Sequence, residues 1–400
     1  MKSVLLKFLI YSFVFMAFVA MDTTLEDPVL NTPVLVSLAF LCTFLVMLYL
    51  IVKGSVWQTI FINLLSLFLI IMVFEKVLQV QEKRKDEANA LVTVFSSGQS
   101  LFKPNSRTGY VHIPNYTGKA FGKVGDTILY DVTYHTDKNG CRLTQPVNPD
   151  SQSMLFLGCS FTFGFGLEDQ QTLPWLVNDS LKQKLKVYNF GVNGYGPHQI
   201  LSFLENGMVD TIVREKPKYC IYSAITSHAE RVVNLYPWGY KDTDPKYALN
   251  ADGKPEFTGP FADASSLTFS VESAVRDAAL FKKILKKKSL SDYDLELFVA
   301  VVEACRDKIK DRYPDCEFHV IFWDDQYQQK EISERMIAML KEKKINLHLM
   351  HNILPDYQTK AYQYVIYPRH EGHPNGLANQ YIASYIRREI INNHNQLAYE

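Results

Sequence analysis

Four hundred residues are enough for one large core, or for one domain with attachments. Lysine plus arginine balances aspartate plus glutamate at 42 each, so the charge gives no support to a nucleic-acid partner held by a strong positive field. Six cysteines (Cys42, Cys141, Cys159, Cys220, Cys305, Cys316) include no C-x-x-C pair, which argues against a structural zinc or thioredoxin-like site; the five outside the apolar run of Cys42 are an odd number, unsuited to a complete disulfide framework.

Three apolar runs open the chain, at about 3–21, 33–52 and 56–74, each near the length that crosses a bilayer. They predict three transmembrane helices within residues 1–90. The first run could also serve as a signal peptide, but a cut after Ala20 would put bulky Phe18 where the peptidase needs a small residue, which favours an uncleaved helix. Lys2, Lys7 and Lys53, set against Asp22, Glu26 and Asp27, place the N-terminus and second loop in the cytoplasm and the long C-terminal part outside. Lys83, Arg84 and Lys85 run counter to this; interspersed with Glu82, Asp86 and Glu87, they read as a solvated helix extension.

Residues 91–150 change character, with Pro, Gly, Asn and aromatic residues in short alternating runs such as 109–114 and 127–133, the pattern of a small β-rich lead-in. Strand and helix signals then alternate: strands at 154–157, 186–190, 219–224, 317–323 and 346–350, helices at 170–185, 198–216, 292–312, 331–343 and 376–392. Such alternation implies a mostly parallel sheet sandwiched by helices, a three-layer α/β/α architecture of flavodoxin-like kind, with ligands bound outside the carboxyl ends of the strands. Residues 229–289 interrupt the alternation with the aromatic stretch 236–240, a turn at 250–254 and a basic run at 282–288, and read as an insertion over the rim of the site. The basic run fits a solvated helix face better than an anion-binding patch.

Three blocks carry chemistry. The apolar run Met154-Leu155-Phe156-Leu157 ends in Gly158-Cys159-Ser160 just before a helical pattern, so Ser160 stands at a strand-to-helix corner. Backbone N–H groups at such a corner can hold an oxyanion, although a buried turn with a capping serine has the same appearance. The second strand ends in Asn189-Phe190-Gly191-Val192-Asn193-Gly194, a turn whose glycines bring backbone N–H groups close without a side chain in the way. His370-Glu371-Gly372-His373-Pro374-Asn375 precedes the last helix, where a histidine can reach a serine at the strand ends and act as its base.

In this order and spacing the blocks resemble the SGNH (GDSL-like) hydrolase superfamily over about 150–388, particularly its membrane-anchored bacterial members with a Gly-Asp-Ser-Phe-Thr-x-Gly nucleophile block. The resemblance implies a catalytic domain over 151–400 in which Ser160 is the nucleophile, His373 its base, and the N–H groups of Ser160 and Gly194 the oxyanion donors. It requires no cofactor or metal. It also implies a multi-pass protein of the bacterial inner membrane whose catalytic domain faces away from the cytoplasm and acts on an acylated small molecule or glycan; three helices exceed what tethering needs and hint at a membrane-protein partner.

Several positions depart from the family. Cys159 replaces its aspartate and is itself a conceivable nucleophile. The asparagine of its third block is absent, leaving His228 or Ser227 as the side-chain donor. Its aspartate three positions before the histidine is His370 here; Glu371, two before, is the candidate acid, with Asp324 and Asp325 as fallbacks. His370 to His373 read as metal ligands would miss the helical spacing of a zinc peptidase. Esterase, O-acyltransferase of envelope polysaccharide and non-catalytic tethered binding module all remain open at this point.

Overall fold

The computed structural model describes residues 33–52, 54–89, 92–95, 100–146, 152–235, 243–261, 290–325, 329–368 and 371–392. They fall into two units, residues 33–89 and residues 92–392.

The first unit is a pair of packed helices, α1 (Pro33–Ile51) and α2 (Ser55–Asn89). Within α2, Ser55–Gln81 is long and apolar enough to cross a bilayer and is almost uncovered by protein. The apolar part of α1, Leu35–Ile51, is shorter. The expectation of three spanning helices is therefore corrected: among the described residues one helix meets the length, and residues 3–21 lie outside them. Beyond the third predicted span the helix continues through the charged residues to Asn89, as their reading as a helix extension predicts.

The second unit begins with the β-rich lead-in. Strands β1 (Val92–Phe95), β4 (Thr117–Val124) and β5 (Thr127–His135) make an antiparallel sheet, and β2 (Phe102–Asn105) pairs with β3 (Gly109–His112) as a hairpin. Alternation along β5 buries Tyr130, Val132 and Tyr134 on one face.

The core sheet follows: β6 (Ser153–Gly158), β7 (Lys186–Gly191), β8 (Pro217–Ile225), β11 (Glu317–Trp323) and β12 (Asn346–Leu349), with the hairpin β9 (Pro245–Leu249) and β10 (Pro255–Pro260) lying between β8 and β11 in the chain. All four neighbouring pairs are parallel and the spatial order is β12-β11-β8-β6-β7. The first crossover goes from β6 to one edge and the next returns across it to β8, so the order reverses beside β6, the place where doubly wound sheets open a crevice. On one face lie helices α5 (Pro197–Glu205), α8 (Asp292–Arg312) and α9 (Lys330–Glu342); on the other lie α4 (Leu173–Ser180), α10 (Met350–Ile353) and α12 (Gly376–Tyr385).

The five predicted strands appear within a few residues of their expected places, whereas two predicted helices are shorter. The first starts as a 3-10 turn at Asp169–Gln171 and stops at Ser180, because Lys182 and Gln183 adopt left-handed φ of +55°. Gly207, at φ +64°, splits the second into α5 and α6 (Met208–Ile212). In the insertion, α7 (His228–Val232) leads to the β9–β10 hairpin, whose turn is closed by Asn250 Oδ1 accepting from Asp252 and Lys254 N–H. The hairpin packs on α5 and α8, with Tyr247 buried and its hydroxyl donating to Glu205 at 2.6 Å. The aromatic stretch 236–240 and basic run 282–288 lie outside the described residues.

His112 marks where the lead-in meets the core. Its ring lies between Phe102 and Phe163, with centroids 5.3 and 4.7 Å away, and burial together with the nearby Arg142 charge pushes its pKa down to about 3. The unfolded chain takes up this proton near pH 6.5, so between there and about pH 3 the unfolded state holds the extra proton. Stability is complete above that window and falls through it on acidification, by up to ~1.4 kcal/mol per pH unit. His112→Phe keeps the ring contacts and removes the proton, so its melting temperature should fall less steeply than wild type from pH 7 to about pH 4; parallel curves would refute this.

Candidate active site

β6 is buried along its whole length, as expected for a strand covered on both faces. It ends at Gly158, where φ is +154° and a Cβ would stand 2.2 Å from Thr162 Oγ1, so only glycine fits. The chain passes through Cys159 into a single helical turn, α3 (Ser160–Phe163), closed by left-handed Gly164, whose N–H donates to Ser160 O at 2.9 Å. Ser160 is its first residue, and a first helical N–H has no acceptor within its own helix. Cys159 is buried within the apolar cluster that includes Leu173 and Ile382.

A short hairpin, β13 (Val365–Tyr367) and β14 (Glu371–Pro374), carries His373. Asn375 follows and caps α12, accepting from Ala378 N–H at 3.0 Å while its Nδ2 donates to Gln363 O and Val365 O. Asn379 Nδ2 donates to Gln171 O at 3.0 Å, tying α12 to the segment after the Ser160 turn. With the hairpin and helix so fixed, His373 Nε2 lies 2.7 Å from Ser160 Oγ. Phe161 and Phe165 flank the imidazole, their centroids 5.3 and 4.8 Å from its own.

The loop of Gly194 is anchored beside them. Val192 N–H donates to Gly158 O at 3.1 Å, Tyr195 N–H turns back to Val192 O, and Gly194 takes a left-handed φ of +84°. His228 is buried on the α5 side of the sheet, where its ring stacks on Tyr222 and its Nδ1 is 2.6 Å from the Tyr222 hydroxyl. Burial, with the Arg231 charge and His198, drives its pKa well below that of a free imidazole. Ser227 and Thr226 instead line a cavity of about 270 Å³ beside Phe161, together with Trp323, Asp325, Gln329, Tyr357 and Gly372.

Glu371 sits two positions before His373 on β14, and its side chain is not among those described. Asp324 is committed elsewhere: its carboxylate accepts from His351 Nδ1 at 2.6 Å and from the His351 N–H at 3.2 Å. Asp325 lines the cavity. His370 lies outside the described residues, among which no cluster of His, Cys, Asp or Glu is arranged to hold a metal ion.

Sequence reasoning missed the support behind the pair. Arg142, fully buried, stacks its guanidinium on Tyr134 and Phe163 at 4.4 and 4.6 Å, and donates through Nε to Asp169 at 2.6 Å and through Nη2 to Leu167 O at 2.8 Å. His135 Nδ1 takes the other Asp169 oxygen at 2.6 Å, and Gly166 N–H donates to the Tyr134 hydroxyl at 2.7 Å. Strand β5 thus holds the segment that contains Phe165, which in turn flanks His373. The only sequence signal was the aromatic density of Phe161, Phe163 and Phe165; Arg142 gave none. Arg142→Met strands Asp169 without its main partner and should cost about 3 kcal/mol in denaturant unfolding, with Arg142→Lys recovering only part because it lacks the planar fork. A methionine variant within about 0.5 kcal/mol of wild type would deny the network this role.

No family model matches the chain, and no curated protein matches it. Among solved structures it is similar to a member of the G-D-S-L lipolytic family from Veillonella parvula DSM 2008, at 14% identity over 60% of this chain and 98% of the other, with a TM-score of 0.34. It is similar to an acetyl xylan esterase from Butyrivibrio proteoclasticus, at 12% identity over 62% and 66% with a TM-score of 0.33. A two-domain esterase active on acetylated mannans matches at 12% identity over 59% and 47%, also with a TM-score of 0.33. These structures belong to GDSL-type lipolytic proteins and esterases, and the likeness is one of fold.

Proposed function

We propose that the chain is a membrane-tethered serine esterase of the SGNH type that cleaves an acyl ester. The observation that carries this reading is the 2.7 Å contact between Ser160 Oγ and His373 Nε2, formed by residues 213 positions apart at the reversal point of a parallel sheet. In this mechanism Ser160 Oγ attacks the ester carbonyl carbon as His373 takes the hydroxyl proton. The carbonyl oxygen becomes an oxyanion held by the N–H groups of Ser160 and Gly194, with Ser227, which lines the cavity beside Phe161, as the third donor; His228, turned onto Tyr222, takes no part. Collapse breaks the ester C–O bond, and His373 returns the proton to the departing alcohol. Water, deprotonated by His373, then attacks the acyl-serine and releases the acid. Glu371 orients the imidazole and stabilises its charged form.

The cavity beside Phe161 supports a sugar ring as the alcohol part. Tyr357 and Trp323 offer aromatic surface, and Asp325 and Gln329 offer acceptors and donors for hydroxyl groups, the mixture by which small sites fix an oriented ligand. An acceptor hydroxyl in the same place could take the acyl group in place of water, making the protein an O-acyltransferase. The apolar Ser55–Gln81 segment is long enough to tether the chain to a membrane, and in this reading Lys2, Lys7 and Lys53 keep the inner side while the second unit lies outside.

A membrane-impermeant fluorophosphonate applied to intact spheroplasts tests serine and sidedness together. Wild type should label, Ser160→Ala should not, and His373→Ala and Glu371→Gln should label at least about a hundredfold more slowly. Labelling only after lysis would reverse the proposed topology; labelling that survives Ser160→Ala, or its absence in folded wild type, would remove the esterase reading in favour of a binding module. For substrate class, Tyr357→Ala should raise KM for an acetylated oligosaccharide by about tenfold while leaving 4-nitrophenyl acetate turnover unchanged. Equal effects on both substrates would argue against a sugar site.

A further inference from the structure

A second cavity, of about 280 Å³, opens between the lead-in and the core sheet and shares no lining residue with the one beside Phe161. The β2–β3 hairpin and the turn around Lys138 form one wall, and the end of β7 with helices α5 and α6 forms the other. Most of its lining is apolar, with Phe190, Ile200, Met208 and Ile212 facing Val111. The charged residues among the lining are two exposed lysines, Lys103 and Lys138, and the lining holds no carboxylate. Asp137, next to Lys138, is turned into its own loop, where Oδ1 accepts from the N–H groups of Asn139 and Cys141. In a chain of zero net charge this is a local positive excess at the edge of an apolar hollow.

Shape and charge together narrow the ligand. At about 280 Å³ the hollow lies at the small end of ligand sites, suited to a short alkyl chain better than to a whole oligosaccharide. A neutral alkane would leave the lysines unused, and an ammonium would be repelled by them. We propose that this cavity binds a medium-chain carboxylate, with its alkyl chain against Phe190, Ile200 and Met208 and its head group between Lys103 and Lys138. The site does not use Ser160, so it stands or falls separately from the esterase reading.

Equilibrium dialysis of radiolabelled octanoate against the full chain in phosphatidylcholine nanodiscs, with empty discs subtracted, tests this. Wild type and Ser160→Ala should bind octanoate saturably and equally, and octylammonium should bind at least about tenfold more weakly. Replacing both lysines (Lys103→Glu with Lys138→Glu) should weaken octanoate about tenfold or more. Met208→Trp should abolish binding by filling the hollow; the surface lysine variants keep the test decisive should that variant misfold. No saturable binding, equal affinity for octylammonium, or loss of binding in Ser160→Ala, which would move the acid to the catalytic serine, each overturns the proposal.

Discussion

Everything at the site depends on bringing together two residues 213 positions apart, and the contact between them is far too weak to do so. Closing a loop of that length costs on the order of 5 kcal/mol by the logarithmic rule, while one neutral hydrogen bond returns only about 1 kcal/mol. The meeting is therefore imposed by the sheet. Buried strands β6 and β8 lie side by side, α12 packs on the same face as α4, and the Asn375 cap with the Asn379 clip sets the histidine's approach. Ser160 and His373 are delivered to one another by the packing of the elements that carry them.

The lead-in belongs to that scaffold and is no spacer. Its residue Arg142 bridges to Asn189, and Thr144 donates to Val187 O, so the exposed edge of β7 is covered. Tyr134, Phe163 and the Arg142 guanidinium then form a stack in which a buried charge is offset by Asp169, Leu167 O and two aromatic faces. Tyr130 meets Phe165 edge-on, and Ile366 of the histidine hairpin packs on the same cluster. The Ser160 turn and the His373 hairpin thus rest on one small β-sheet.

What was legible in the sequence follows from which signals are local. Strands buried on both faces write themselves as apolar runs, so β6, β8 and β11 were readable almost to the residue. Ser160 and His373 were readable because each stands at a punctuated end of an element. Helix ends were less so: Gly207 and the left-handed Lys182 and Gln183 break patterns whose apolar spacing runs on. The β13–β14 hairpin is short and holds Pro, Gly and charged residues, a loop composition that only tertiary packing overrides. Arg142 and Asp169 carry no local signal, since a buried ion pair exists only once the lead-in has docked. The anchor was over-read because apolar content is visible in a sequence while helix length is not: the apolar part of α1 spans only Leu35–Ile51.

The departures from the family pattern sort along the same line between backbone and side chain. Where the family has aspartate, Cys159 is buried in the core; where it has asparagine, His228 is drawn down onto Tyr222. Asp324, a candidate acid by position, serves His351. These are side-chain changes, and each new side chain has found a structural place. The donors that the proposed mechanism needs most are backbone N–H groups, whose directions are fixed by Gly158 at φ +154° and Gly194 at φ +84°. Backbone geometry of this kind survives substitution of its neighbours as long as the glycines stay. A site built chiefly on such donors can lose a side-chain donor and keep the rest of its oxyanion hole, which is why the proposed mechanism can rest on Ser160, Gly194 and His373.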